Sequence, residues 1–95
     1  MVTLCILLWP KPGREDALIA YEDRVLAIMA DHEGEVLQRI RCTQRGEDDP
    51  FEIHVLRFAS EESFEANLRD PRRTALAPER DLVIERAQVL PVDLV

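Results

Sequence analysis

The fold of this chain follows from one stretch, Phe51-Glu52-Ile53-His54-Val55-Leu56-Arg57-Phe58, and from residues 60–71, which come after it. The stretch is mostly apolar or aromatic, which predicts a central strand covered on both faces. The segment after it carries helix signals, because Ser60 can cap the first free amides and a proline closes the segment. Phe64 and Leu68 stand one turn apart and are expected to press on the sheet. A strand that feeds a helix is therefore the organising unit.

The segments on either side complete a β-α-β-β-α-β order. Residues 2–9 predict a buried first strand, residues 13–31 the longest helix, residues 35–43 an edge strand and residues 82–90 the last strand. An acidic loop at residues 44–50 carries strong turn signals, so the second and third strands should form a hairpin. Two right-handed crossovers place both helices on one face of the sheet. The predicted fold is a single α+β domain over residues 1–95, ferredoxin-like, with an antiparallel four-stranded sheet in the order 4-1-3-2.

Periodicity assigns side chains to faces within these elements. The first helix has a broad apolar stripe, and the charged side chains expected opposite it are Arg14, Glu15, Glu22, Asp23 and Asp31. In the second strand, alternation groups Val36, Gln38, Ile40 and Cys42 on one face and Leu37, Arg39, Arg41 and Thr43 on the other. Gly34 is well placed to release the chain from the first helix.

The central strands are apolar on both faces, although the helices can cover only one. In the first strand Leu4, Ile6 and Leu8 oppose Cys5, Leu7 and Trp9, and in the third Ile53 and Val55 oppose Leu56 and Phe58. A monomer would expose a larger apolar patch than soluble monomers usually do. We therefore expect a twofold homodimer joined sheet to sheet. The apolar tail at residues 91–95 is also expected to be covered.

Composition limits the partners and the compartment. The net charge of −7 argues against nucleic acid and against anionic membranes as partners. Residues 2–9 are too short to span a bilayer and lack the features of a signal peptide, so a cytoplasmic location is expected. Cys5 and Cys42 are too few for a disulfide framework, and the predicted strand order separates them. The sequence contains neither a glycine-rich phosphate loop nor a metal-ligand cluster, so no cofactor and no metal are expected.

Several short segments resemble a known family. They are Ala20-Tyr21-Glu22, residues 32–37 entering the second strand, residues 57–60 leaving the third, Asp70-Pro71, and Arg80 before the last strand. Over nearly its whole length the chain resembles the dimeric α+β barrel superfamily. It is most similar to a small bacterial branch known as a domain of unknown function and related to antibiotic-biosynthesis-type monooxygenases. The resemblance implies a barrel of two sheets, with a pocket between each sheet and its helices.

Four residues are candidates for substrate binding: His54, Tyr21, Asn67 and Arg80. His54 is the one residue of a central strand that can gain or lose a proton near neutral pH, and a hydrogen-bonded core histidine is the alternative. His32 is expected to cap a helix end. The leading hypothesis is a homodimer that binds or transforms a small organic molecule, as a cofactor-free monooxygenase or an isomerase. The alternative is a non-catalytic ligand-binding or structural dimer.

Overall fold

A computed structural model describes all 95 residues, and its elements follow the predicted order. The elements are β1 (Val2–Pro10), α1 (Glu15–Ile28), β2 (Gly34–Arg41), β3 (Glu52–Phe58), α2 (Glu61–Arg69), α3 (Pro71–Thr74), α4 (Ala77–Val83) and β4 (Ile84–Pro91). A single 3-10 turn, Met29–His32, continues α1. The strands form one sheet in the order β2-β3-β1-β4, and every neighbouring pair is antiparallel. The ferredoxin-like α+β fold with strand order 4-1-3-2 is confirmed.

The capping signals after β3 act as predicted. The hydroxyl oxygen of Ser60 accepts a hydrogen bond from the backbone N–H of Ser63 at 3.1 Å, which satisfies a free donor at the start of α2. Asp70 then caps α3 by accepting from the backbone N–H of Arg72 at 2.8 Å, and Pro71 occupies the first turn. Because one residue ends α2 and begins α3, the chain turns without a loop and α3 contacts α1.

The last strand begins two residues later than predicted, at Ile84 rather than at Leu82. Pro78 lies in the first turn of α4, and this helix continues to Val83. Val83 and Ile84 are both buried, so an apolar run that fits a strand also fits the buried end of a short helix.

A bulge in β2 breaks the predicted alternation. Val36 pairs with Leu56, whereas Gln38 pairs with Val55, so the register shifts between them at Leu37. Directly paired residues point to the same face of a sheet, and Leu56 and Val55 point to opposite faces. Val36 therefore does not share a face with Gln38, and that prediction is wrong. The bulge lies on the edge strand, where extra residues are most easily accommodated.

The chain leaves the 3-10 turn through Glu33 rather than through Gly34. Glu33 has the left-handed backbone, with φ at 57°. Gly34 instead begins β2 in close contact with its neighbours, since an added Cβ would lie 2.7 Å from the ring of Phe58 and 2.9 Å from the carbonyl oxygen of Met29. The glycine is required for this close approach and not for its backbone angle.

The core lies between the sheet and the helices. One cluster joins β1, α1 and α4 through Leu8, Leu18, Tyr21, Val25, Val83 and Ile84, and a second joins Met29, Leu56 and Phe58. Phe64 packs on Phe58 with ring centroids 5.3 Å apart, as predicted. Leu68 does not press on the sheet as expected, because it is 37% exposed.

The opposite side of the sheet, here called the outer face, has no cover within the chain. Its apolar residues in the central strands are Cys5, Leu7, Trp9, Ile53 and Val55, all half-buried. Within the chain, β3 is covered by helices on one face only. The tail is also uncovered within the chain, with Leu94 and Val95 exposed.

Both cysteines are free. Cys5 lies in β1 and Cys42 directly follows β2, and β3 lies between these two strands in the sheet. None of the helices has the length and hydrophobicity needed to cross a bilayer.

Candidate functional site

A cavity of about 90 Å³ lies between the covered face of the sheet and the helices. Its wall is mainly apolar and includes Ile6, Leu8, Val25, Leu56, Phe58 and Phe64. The charged or amide side chains in its lining are Glu22, His54, Asn67, Arg73 and Arg80, and Tyr21 lies beside them. The cavity therefore brings together all four predicted substrate-binding residues, from α1, β3, α2 and α4.

His54 lies at the base of the cavity and is 1% exposed. It projects from β3 between Ile6 of β1 and Arg39 of β2, which are its partners across the sheet. Its Nε2 lies 2.6 Å from a carboxylate oxygen of Glu52, two residues away on the same face. An ionised carboxylate can only accept a hydrogen bond, so Nε2 carries a proton and donates it to Glu52. In the neutral ring this leaves Nδ1 as the nitrogen with a free lone pair.

Glu52 stays ionised although it is completely buried. Burial alone would raise its pKa, but hydrogen bonds from His54, Arg41 and Arg39 outweigh that effect and lower the pKa to about 2. Arg39 Nε donates to one carboxylate oxygen at 2.6 Å, and Arg41 Nη2 donates to the other at 2.8 Å. The bulge in β2 leaves both arginines on the covered face, opposite His54 and Glu52. Glu52 therefore serves as a fixed negative charge behind the imidazole.

The prediction that Glu22 lies opposite the apolar stripe of the first helix is wrong. Glu22 was expected in solvent, but it is 6% exposed, lines the cavity, and its Oε2 lies 3.9 Å from Nδ1 of His54. Burial raises the pKa of this carboxyl group, and the nearby His54 only partly opposes the shift. A usable signal was present, since Glu22 follows Leu18 by four residues and precedes Val25 by three, which puts it within the apolar stripe.

Tyr21 precedes Glu22 on α1 and is 2% exposed. Burial raises the pKa of its hydroxyl group, and the charge of Glu22 adds to this, whereas Arg73 and Arg80 act in the opposite direction. The hydroxyl group therefore stays protonated at neutral pH and remains able to donate a hydrogen bond.

Two buried polar atoms in the cavity lining have no hydrogen-bond partner. They are the amide oxygen Oδ1 of Asn67 and the Nε of Arg73. Asn67 as a whole is 4% exposed, so solvent does not reach the oxygen. Buried polar atoms without a partner are rare in folded proteins and mark places where a ligand or ordered water completes the bonding. Arg73 was not among the predicted site residues, because nothing in its sequence context distinguishes it from exposed Arg72.

The other histidine lies outside the cavity. His32 was expected to cap a helix end, but its Nε2 instead lies 2.7 Å from a carboxylate oxygen of Asp70. Together with hydrogen bonds from Arg72, which contribute most, this contact holds the pKa of Asp70 well below its usual range. The pair ties the end of the 3-10 turn to the start of α3. No group of three His, Cys, Asp or Glu side chains is arranged to hold a metal ion.

The chain is similar in fold to several solved structures. No family model matches its sequence, and no curated protein matches it. A solved structure from Agrobacterium tumefaciens, described as a NIPSNAP family protein with unknown function, has a TM-score of 0.76 at 23% identity, covering 97% of this chain and 86% of that one. The chain shares the ferredoxin-like α+β fold. A NIPSNAP domain protein from Burkholderia xenovorans gives a TM-score of 0.73 at 14% identity, with 100% and 95% covered.

One further solved structure of this fold is described as an antibiotic biosynthesis monooxygenase. Its TM-score is 0.71 at 13% identity, and the match covers 100% of this chain and 99% of that one. At this level of identity the likeness extends to the fold, and fold alone does not determine chemistry. The chemistry of this chain has to be argued from its cavity.

Proposed function

We propose that the chain binds a small organic molecule in the cavity and that His54 moves a proton on that molecule. The observation that carries the proposal is the buried His54–Glu52 contact of 2.6 Å, set in the wall of a mainly apolar cavity. A base oriented by a second group through hydrogen bonding is the usual arrangement for general acid–base catalysis.

The proton transfer would use the two nitrogens of His54 differently. Nδ1 accepts a proton from the bound molecule, while Nε2 keeps its hydrogen bond to Glu52. The ring becomes an imidazolium, whose positive charge the ionised Glu52 stabilises at 2.6 Å. Returning the proton to another atom of the same molecule completes an isomerisation without any cofactor. Cofactor-free oxygenation would begin with the same proton abstraction and then consume oxygen.

Glu22 would complete the site from the opposite side of the ring. Burial favours its protonated form, so it is able to donate a proton where His54 accepts one. Its carboxyl oxygen lies 3.9 Å from Nδ1, which is too far for a direct hydrogen bond, so the two groups would contact neighbouring atoms of a bound molecule from the cavity side. Two titratable groups with opposite proton preferences thus face the same part of the cavity.

The same proposal includes a homodimer joined through the outer face. Trp9, Ile53 and Val55 lie on a face that no helix of the chain covers. Such a patch is characteristic of a protein interface. A cytoplasmic location remains a prediction from the sequence.

The alternative function is a ligand-binding or structural dimer without catalysis. In that case the hydrogen bonds of Glu52 with His54 and with the two arginines of β2 would serve only to fix the register of β2 on β3. The two functions differ in whether a bound molecule exchanges protons, and this can be measured.

The test is proton exchange on a small enolisable carbonyl compound. Butanone is incubated with the protein in D2O, and loss of its α-proton signal is followed by NMR. We expect His54→Gln to abolish the exchange while leaving melting temperature and assembly nearly unchanged, because the glutamine amide can still donate to Glu52. His32→Gln is the matched control and should exchange normally. Absence of exchange with the parent protein, together with no stabilisation by butanone, quinols, lactones or haem, would favour the structural dimer.

A further inference from the structure

We infer that the molecule bound in this cavity is a small organic acid, a carboxylate that also carries a hydroxyl group. The inference rests on the proposed function, since it names the substrate class of the same site. Its basis is the meeting of two unpaired arginines and one unpaired amide oxygen in an otherwise apolar cavity.

The arginines of the cavity differ from most others in the chain because they have no acidic partner. Arg39 and Arg41 bind Glu52, Arg24 pairs with Glu79, and Arg72 pairs with Asp31 and Asp70. No carboxylate oxygen lies within 4.0 Å of the guanidinium groups of Arg73 or Arg80, as the ten ion pairs of the chain involve other residues.

The burial of Arg73 is the decisive feature, because several exposed arginines of the chain also lack an ion pair. Buried Nε atoms without a hydrogen bond occur in Arg57 and Arg73, and of these two residues only Arg73 lines the cavity. The Nε of Arg73 is buried and makes no hydrogen bond, so it has lost its water without gaining an acceptor. A guanidinium in this state is best satisfied by an anion, and its planar donors suit a carboxylate.

Asn67 specifies a second feature of the ligand. Its Oδ1 accepts hydrogen bonds only, is buried, and has no donor within reach. A bare carboxylate has no proton to give it, so the ligand needs a donor group as well, for which a hydroxyl group is the simplest choice. The anion and the donor would then be held by α2, α3 and α4, opposite His54 on the sheet.

The cavity volume limits the size of the acid. About 90 Å³ is smaller than the roughly 150 Å³ of the engineered apolar cavity that holds benzene, so the occupant is expected to have no more than about six non-hydrogen atoms, the number in benzene. Leu68, Arg80 and Val89 are exposed members of the lining and mark its open side. An acid entering there would meet Arg80 first and Arg73 deeper in the cavity.

The test uses lactate, its neutral analogue lactamide, propionate and inorganic phosphate, with binding to the full chain measured by calorimetry. We expect lactate to bind at least about tenfold more tightly than lactamide, which lacks the charge, and more tightly than propionate, which lacks the hydroxyl group. Arg73→Gln and Arg80→Gln should each weaken lactate binding by at least about tenfold and change lactamide binding little. Arg69→Gln, an exposed arginine of α2, is the matched control and should bind lactate normally.

The other outcomes overturn the inference. Equal affinity for lactate and lactamide, equal loss in the Arg69→Gln control, tighter binding of phosphate, or no binding of lactate would each exclude a hydroxy acid. If Arg73→Gln fails to fold, the exposed Arg80→Gln variant decides alone. If the protein catalyses proton exchange on butanone but does not bind lactate, the inference of a hydroxy acid is wrong and the proposed function still holds.

Discussion

At the scale of single residues, two buried carboxyl groups lie beside the imidazole of His54, and their pKa values are shifted in opposite directions. Glu22 is buried in the lining of the cavity, and burial raises its pKa. Glu52 receives hydrogen bonds from His54, Arg41 and Arg39, which lower its pKa to about 2 in spite of burial. Two carboxyl groups with pKa values pushed apart can act as acid and as fixed charge within one site.

The raised pKa of Glu22 predicts how its replacement changes stability with pH. The folded protein binds the proton of Glu22 more tightly than the unfolded chain, so this contribution to stability is complete below about pH 4.5 and is lost as the pH rises through the folded pKa. Glu22→Gln should therefore gain free energy of unfolding relative to the parent between pH 4.5 and pH 8. Urea unfolding at fixed protein concentration measures this, with exposed Glu47→Gln as control. Parallel curves for parent and variant would contradict the prediction.

Glu52 predicts the opposite dependence. Its folded pKa of about 2 lies below the ordinary value of 4.5, so its contribution is present above about pH 4.5 and is lost as the pH falls through 2. Glu52→Gln should flatten this acid limb and lower the free energy of unfolding at pH 7. The expected loss is about 2–3 kcal/mol, below the 3–5 kcal/mol for a fully buried pair, because both arginines reach solvent. Acid titrations followed by circular dichroism measure it, and an unchanged acid limb would refute the assigned role.

At the scale of elements, the junction between the 3-10 turn and β2 depends on one close contact. A Cβ on Gly34 would lie 2.7 Å from the Phe58 ring and 2.9 Å from the carbonyl oxygen of Met29. The backbone oxygen cannot move without shifting the end of the turn. Position 34 therefore couples the turn to β3.

Gly34→Ala should consequently destabilise the protein by about 1–3 kcal/mol, the usual range for overpacking. Thermal or urea unfolding measures the loss. Gly46→Ala serves as control, because there the added Cβ meets only the side-chain carboxylate of Asp49, at 3.2 Å in an exposed loop. Equal stability of the two variants would show that the Phe58 ring can move aside freely.

At the scale of the whole molecule, the uncovered outer face predicts assembly. Val55 lies in the middle of that face, paired with Cys5 on β1 and with Gln38 on β2. A charge there would be buried without a partner in a sheet-to-sheet dimer, and this strongly opposes association. The covered face and the cavity lie on the other side of the sheet.

Val55→Asp should convert the protein to a monomer of 10.9 kDa while retaining its secondary structure. Light scattering at micromolar concentration measures the mass, and circular dichroism checks the fold. Leu82→Asp is the matched control, since Leu82 on α4 is 61% exposed and lies away from the outer face. A parent protein that is already monomeric would remove the case for this interface.

The sequence by itself determined the order of elements, the sheet and much of the cavity. Apolar strands, capping residues and turn signals are local, so βαββαβ could be predicted, and the handedness of crossovers then fixed the strand order. His54, Tyr21, Asn67 and Arg80 were chosen from chemistry and spacing, and all four line the cavity. Their binding role remains a prediction.

Only the tertiary structure decided the remaining members of the site. Glu22 was predicted to face solvent, because a charged side chain is normally exposed, but it is buried 3.9 Å from His54 of a distant strand. The bulge in β2 put Arg39 opposite His54 and Arg41 opposite Glu52, although strict alternation could not place the bulge. Arg73 reaches the cavity because α3 follows α2 without a loop. The bulge in β2 and the approach of Glu22 to His54 involve segments remote in sequence, whose contacts local patterns do not encode.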